Sequence, residues 1–140
     1  MQTLIKNELN DFMNHHKNIV NISFHILCGS IFMSFLFLLL NKHTYTGIIV
    51  YTIFVYLSLN HIILSLCVLF ILLLFTTGLK QFKLSMRSIL IYGLVFYFLP
   101  DLTHILTNEK TVLKIDSLLS ILTNIVYLLP FSILSLFNVK

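Results

Sequence analysis

Charged side chains are scarce in this chain of 140 residues, of which only 10% are charged and 58% are hydrophobic. The mean hydropathy is +0.96. A soluble domain of this length could not hide so much apolar surface, because too much of its chain must face water. The nine lysines and arginines lie near the ends and between apolar blocks, too sparsely for nucleic-acid binding. The composition therefore predicts an integral membrane protein that has the lipid bilayer, and no nucleic acid, as a partner.

Cysteine is almost lacking as well. The two cysteines, Cys28 and Cys67, lie inside apolar blocks without the spacing of a metal site, so we expect packing residues and no disulfide framework. The sequence also lacks an internal repeat, a low-complexity linker and a small-residue cleavage site after its first apolar block. We therefore expect one transmembrane domain over residues 1–140, whose first apolar block stays in place as an anchor.

Long apolar blocks are abundant, and they predict an all-α fold, a polytopic transmembrane helical bundle of four to five short spans. The blocks are 19–40, the two halves of 46–77 divided at 58–61, 88–99 and 117–137. A spanning helix needs about 20 apolar residues. Pro100 is expected to kink the fourth helix or begin a new one, Pro130 to kink the last, and 101–116 to form a polar connection. Residues 1–18 favour an amphipathic helix at the membrane interface.

The membrane orientation stays open at this point. If all five blocks cross the bilayer, lysines and arginines divide four against five between its two sides. The rule that cytoplasmic loops carry an excess of these cations therefore does not decide which side is which.

Polar residues enter the apolar blocks on three helix faces, at spacings of three or four residues. The faces consist of Asn14, Asn18, Asn21 and His25; of Asp101, His104 and Asn108; and of Asp116, Ser120, Thr123 and Tyr127. Residues at these spacings share one side of a helix, and polar groups that faced lipid would lack partners. We therefore expect the three faces to converge on one interior cavity, where polar groups mark a pathway or a site.

Six histidines are candidate metal ligands for such a cavity. Neutral imidazole binds Fe, Zn and Cu, and polar neighbours can fix the tautomer of each ring. His43 lies in a short loop and is expected to be solvated, whereas His61 either caps a turn or binds a metal. His25 lies inside an apolar block and His104 lies between Asp101 and Asn108, and for both residues a packing role and a metal-ligand role stay open. The chain has neither the HxxxH nor the HxxHH boxes of di-iron lipid desaturases, so that class is set aside.

Two segments carry a more specific pattern, which covers the chain from about residue 10 to residue 137. The first is His15-His16 followed by Asn21-Ile-Ser-Phe-His25, which runs directly into an apolar block. The second is an aromatic helix from Tyr92-Gly93, followed by His104, Glu109-Lys110 and the last apolar block. In order and rough spacing they resemble the two histidine motifs of the 2-hydroxy-fatty-acid dioxygenase family. The chain departs from that pattern at Thr103, where the family usually has glycine, and in lacking the proline of the first span.

This resemblance implies an Fe(II)-dependent dioxygenase that shortens a long-chain 2-hydroxy fatty acid by one carbon with O2. The family acts in fatty-acid α-oxidation, in the branch that degrades phytosphingosine, and in the endoplasmic reticulum membrane where the source is eukaryotic. Carried over by position, the implied iron ligands are His16, His25 and His104. The implied catalytic residues are Asn21, as a hydrogen-bonding partner of a ligand, and Glu109.

Two alternatives stay open. On one ideal helix His16 and His25, nine residues apart, would point to opposite sides, so either the helix begins after His16 or His15 replaces it as a ligand. The competing functional class is a non-catalytic scaffold, channel or transporter subunit, whose polar faces hold helices together.

Overall fold

The computed structural model describes residues 2–109 and 118–138, with side chains described for 5–109 and 121–137. The helices are α1 (Gln2–His15), α2 (Ile19–Leu38), α3 (Thr44–Leu59), α4 (Ile62–Lys80), α5 (Met86–Thr107) and α6 (Leu118–Asn138), with a short 3₁₀ turn at Asn41–His43. No strand occurs in these described ranges. The predicted all-α architecture is therefore confirmed.

Three of the helices, α2, α4 and α5, are long and apolar enough to cross a membrane. At 1.5 Å per residue, their 19 to 22 residues correspond to about 30 Å, the thickness of the hydrocarbon core. Helix α3, with 16 residues, is shorter, whereas α6 has 21 residues. Large apolar side chains such as Leu57 and Phe70 are about 70% exposed, as expected where lipid replaces water. These features indicate a membrane protein.

The predicted break at 58–61 is confirmed as the turn of the α3–α4 hairpin. Asn60 adopts a left-handed backbone conformation with φ 50°, and its N–H donates to the carbonyl of Tyr56 at 2.7 Å. His61 then caps α4, because its Nδ1 accepts the N–H of Leu64 at 3.1 Å. This capping role is one of the two that the sequence predicts for His61.

Of the two predicted roles of Pro100, the start of a new helix is wrong, because Pro100 lies inside α5, and the connection predicted at 101–116 is helical as far as Thr107. The helix runs through Pro100 to Thr107, and the hydroxyl of Thr103 donates to the carbonyl of Pro100 at 2.6 Å. The polar run that resembles a loop in the sequence is helical, since Thr103 and His104 are buried against polar partners. The rest of the predicted connection, including Lys110, Lys114 and Asp116, lies outside the described residues.

The chain forms two compact units. One contains the described residues up to Ile26 and from Pro100 onward, and the other contains Leu27–Leu99. In the first unit α1 packs against α6, with the rings of Phe12 and Phe131 6.0 Å apart. The predicted N-terminal helix is thus confirmed as a helix, and it buries Ile5 and Phe12. The candidate site described next lies within this first unit.

Candidate metal centre

Three buried imidazoles converge at one point. The Nε2 atom of His25 lies 3.1 Å from Nε2 of His16 and 3.1 Å from Nε2 of His104. Each of the three side chains is at most 5% exposed. Among the residues that the structure describes, no carboxylate or thiol belongs to this cluster. The structure thus brings together all three residues that the resemblance implies as metal ligands.

The position of His16 resolves the question of its spacing from His25. Helix α1 ends at His15, and α2 begins at Ile19, so His16 lies in the connection between the two helices. Its ring can therefore face the ring of His25, whereas two residues nine apart on one ideal helix would point to opposite sides. His15 is not part of the cluster, and its Nδ1 lies 2.8 Å from the carbonyl of Asp11 in its own helix. The first alternative, a helix that begins after His16, is the one observed.

The tautomer of His16 suits a metal ligand. Its Nδ1 lies 2.8 Å from the carbonyl oxygen of Phe12, and a carbonyl oxygen only accepts, so Nδ1 carries the proton and Nε2 has a free lone pair. The ring of Phe12 stacks on that of His16 at 3.8 Å and 8°, which fixes the direction of Nε2. Burial lowers the pKa of His16 from 6.5 to about 4, so the ring is neutral at pH 7.

Three neutral imidazoles in this arrangement cannot all have their ring nitrogens satisfied by hydrogen bonds. If the proton of His25 is on Nε2, it can be donated well to only one of its two neighbours at 3.1 Å. If the proton is on Nδ1, it is buried without a hydrogen-bond partner among the described residues, and the lone pairs of His16 and His25 face each other. A divalent cation would accept all three lone pairs. Nitrogen ligands about 2.0–2.1 Å from one ion are roughly 3.0–3.4 Å apart, which fits the two separations from Nε2 of His25.

Asn21 connects the cluster to a second layer of polar groups. Its side chain is fully buried, and its Nδ2 donates to Oε2 of Glu109 at 2.6 Å. The same Nδ2 lies 3.3 Å from Nδ1 of His104, and this long contact orients the ring. Since an amide N–H₂ group only donates, Nδ1 accepts in this contact, and binding of a metal ion by Nε2 would require the proton of His104 to be on Nδ1 instead. The hydroxyl of Thr103, the position at which the chain departs from the family pattern, shares its single proton between the carbonyl of Pro100 and Oδ1 of Asn21. Asn21 on α2 is thereby bonded to α5.

Glu109 caps the N-terminus of α2, although it comes from the segment after α5. Its Oε1 accepts the backbone N–H groups of Lys17 at 2.7 Å and Asn18 at 2.8 Å. Burial acts to raise the pKa of Glu109, but the hydrogen bonds from Asn21, Lys17 and Asn18 outweigh it, so the pKa lies below its usual value. A charged carboxylate at this helix end also complements the helix dipole. Glu109 therefore acts on the cluster through Asn21 and not as a ligand.

The other predicted polar residues divide into buried and surface positions. The outer members of two faces, Asn14 and Asn108, are exposed and do not reach the cluster, since they lie beyond the buried part of their segments. His43 is exposed in the 3₁₀ turn, as predicted. On α6 Tyr127 is buried, and its ring stacks on that of Phe131 at 5.3 Å. The side chain of Ser120, like Asp116, lies outside the described residues.

Two contributors to the centre were missed by sequence reasoning. Phe12 was assigned only to an amphipathic face and Thr103 only to a departure from the family pattern, yet one orients His16 and the other Asn21. The spacing of Phe12, four residues before His16, could have indicated the first contact. The contact of Thr103 crosses 82 residues and leaves no local signal.

Comparison of the chain with protein-family models, curated proteins and solved structures finds no match. The resemblance to the 2-hydroxy-fatty-acid dioxygenases therefore stays a prediction. The functional argument depends on the geometry of His16, His25 and His104, which could hold a metal ion, and on the apolar helices of the chain.

Proposed function

We propose that this protein is a membrane-bound Fe(II)-dependent dioxygenase that shortens long-chain 2-hydroxy fatty acids by one carbon. The observation that carries the proposal is the convergence of His16, His25 and His104 in a chain with three apolar helices of membrane-spanning length. The metal centre supports a redox or Lewis-acid reaction, and the apolar helices support a lipid substrate. In a eukaryotic source, the proposed compartment is the endoplasmic reticulum membrane.

The charge of the centre supports a 2-hydroxy acid as the substrate. All three proposed ligands are neutral imidazoles, and the carboxylate of Glu109 is engaged by Lys17, Asn18 and Asn21. A divalent ion held there would keep its full charge and favour an anionic ligand. A 2-hydroxy acid offers a carboxylate and a hydroxyl oxygen that chelate one ion together. When bound, a ferrous ion would supply the open coordination positions and the electrons that O2 chemistry requires.

The proposed reaction balances without a further co-substrate. A 2-hydroxy acid and O2 give the acid one carbon shorter, CO2 and water. The bond between C1 and C2 breaks, C1 leaves as CO2, and C2 becomes the new carboxyl carbon. The substrate loses four electrons in total, which reduce one molecule of O2. No reductant such as a nicotinamide or a second keto acid is required.

The residues of the chain have separate tasks in this proposal. Phe12 and its backbone carbonyl orient His16, whereas Asn21 and Glu109 hold the ring of His104 in place. Asn21 and Glu109, which the resemblance implies as catalytic, are therefore proposed to be positioning residues. The burial of the three histidines keeps bulk water from competing with the substrate, and the acyl tail lies among apolar side chains or in the bilayer.

Product chromatography tests the proposed reaction. The protein is reconstituted in lipid nanodiscs, loaded with Fe(II) without oxygen, and then given O2 and a long-chain 2-hydroxy fatty acid. We expect an acid one carbon shorter from the wild type and from His43→Ala, but none from His104→Ala. The matching fatty acid without the 2-hydroxyl should react poorly, because it loses one of its two metal contacts. No shortened acid from iron-loaded wild type would contradict the proposal and favour a non-catalytic membrane subunit.

A further inference from the structure

The unit formed by Leu27–Leu99 has cations but no acidic residue. Its charged residues are Lys42, Lys80, Lys83 and Arg87, and all four are exposed. Lys42 lies in the connection between α2 and α3, and Lys83 lies in the connection between α4 and α5, with Lys80 at the end of α4 and Arg87 in the first turn of α5. The end of α4 meets the start of α3, since Nζ of Lys80 lies 4.8 Å from the centre of the Tyr45 ring. We call these four residues and their two connections the basic end.

A pocket with a volume of about 150 Å³ lies at the basic end. Its lining includes the polar residues Asn41, Lys80 and Lys83 and the aliphatic residues Leu84 and Ile89. A pocket lined by both cationic and aliphatic side chains matches a molecule with an anionic head and a hydrocarbon chain. The ends of α2 and α4, two helices of membrane-spanning length, form part of its lining, so the pocket lies near the level of lipid headgroups.

Two residues that line this pocket have a backbone conformation that glycine adopts more easily. Asn41 has φ 52° and Lys83 has φ 46°, both in the left-handed region that glycine adopts most easily. Asparagine tolerates this conformation, but a lysine there is unusual and needs support from its surroundings.

Ordinary helix electrostatics explain only part of the basic end. Lys80 ends α4 and complements the negative end of the helix dipole, whereas Arg87 lies in the first turn of α5, where the dipole favours an anion. Lys83 lies between the helices. Since residues 27–99 contain no acidic side chain, neither Lys83 nor Arg87 has a counterion within this unit.

We infer that the basic end binds the phosphate headgroup of an anionic phospholipid, with the glycerol and upper acyl chain against Leu84 and Ile89. Cations beside a membrane surface attract anionic lipids, and the pocket supplies a defined place for one of them. This inference concerns the second unit alone and is independent of the proposed metal chemistry.

Spin-labelled lipids test the inference in vesicles that contain the full chain. The relative association of labelled phosphatidylglycerol over labelled phosphatidylcholine is measured for the wild type and for Lys80→Gln/Lys83→Gln. We expect a clear preference for the anionic label in the wild type, reduced up to about fivefold for each charge removed. Lys6→Gln/Lys17→Gln is the matched control, since it removes the same charge from exposed positions in the other unit, and it should keep the preference.

Three outcomes would overturn the inference. The first is an equal preference in the wild type and in Lys80→Gln/Lys83→Gln. The second is an equal loss in the control, which would indicate only a general charge effect. The third is displacement of the anionic label by inorganic phosphate beyond that by chloride at the same ionic strength, which would indicate a site for free phosphate. Circular dichroism of each variant confirms that its helices are retained, so that a lost preference reports on binding.

Discussion

The surroundings of His25 lower the stability of the metal-free protein but suit a metal ligand. Its Nε2 is crowded by two other Nε2 atoms at 3.1 Å, and its Nδ1 has no hydrogen-bond partner among the described residues. A buried polar group without a partner costs about 1–3 kcal/mol. A packing histidine would be selected for satisfied hydrogen bonds, whereas a metal ligand needs a free lone pair on Nε2 and gains its stabilising contact only when the ion binds.

The first prediction concerns His25→Leu. Because leucine removes the unpaired polar atom and the crowding, we expect the metal-free variant to be as stable as the wild type or up to about 2 kcal/mol more stable. Addition of Fe(II) should raise the thermal unfolding temperature of the wild type but not that of the variant. The measurement is thermal unfolding in nanodiscs, with and without the metal. A variant that is strongly destabilised without metal would show instead that His25 is a structural core residue.

The second prediction concerns Asn21→Ala, which removes the side chain between His104 and Glu109 while all three imidazoles remain. The ring of His104 then loses the contact that orients it, so we expect metal affinity to fall by roughly 10–100-fold, without loss of the site. Competition with a metal-binding dye measures the affinity. Ser23→Ala, at an exposed position on the same helix, is the control. An unchanged affinity in Asn21→Ala would remove Asn21 from the centre.

At the scale of elements, the junction of α1 and α2 assembles the centre. The chain leaves α1 after His15, presents His16 in the connection and enters α2 at Ile19. Asn18 caps α2 locally, since its Oδ1 accepts the N–H of Val20 at 2.9 Å, and Glu109 caps it from the end of α5. The connection that presents His16 is therefore held by a carboxylate 91 residues from Asn18 along the chain.

The third prediction concerns Glu109→Gln. Glutamine keeps the shape of the side chain, but it lacks the charge and presents an N–H₂ group to a site where every neighbour donates. We expect a loss of about 1–2 kcal/mol in the free energy of unfolding and weaker metal binding. Glu8→Gln, on α1, removes the same charge and should have the smaller effect. If Glu109→Gln and Glu8→Gln behave alike, the capping contact does not support the centre.

Different features of the sequence predicted the helices and the candidate metal ligands. The apolar blocks indicated α2, α4 and α6, and the turn at Asn60 followed from the polar break between two apolar runs. His25 was indicated by its depth in an apolar block, and His104 by its place between Asp101 and Asn108 on a polar helix face. The extent of α5 was only partly predicted, because the polar residues after Pro100 also resemble a connection. The contacts of Glu109 with Lys17 and Asn18 were not predicted, since contacts between distant segments leave no local pattern.

At the scale of the whole molecule, the fourth prediction is that α2 crosses the membrane. Single cysteines are placed at Lys17, Lys42 and Asn108 in a background with Cys28→Ala and Cys67→Ala. In sealed vesicles, an impermeant maleimide should label positions 17 and 108 on one side and position 42 on the other. The reason is that 20 residues of α2 separate Lys17 from Lys42, whereas Glu109 bonds the backbone of Lys17. Labelling of positions 17 and 42 from one side would contradict a membrane-spanning α2.

The metal content of the purified protein tests the central claim, a three-histidine metal centre inside a membrane protein. After anaerobic loading with Fe(II) and removal of loosely bound ions, elemental analysis should find about one iron per chain. His25→Ala and His104→Ala should lose it, whereas His43→Ala, which changes an exposed histidine, should keep it. An equal iron content in the wild type and in the variants of His25 and His104 would show that these imidazoles are not metal ligands.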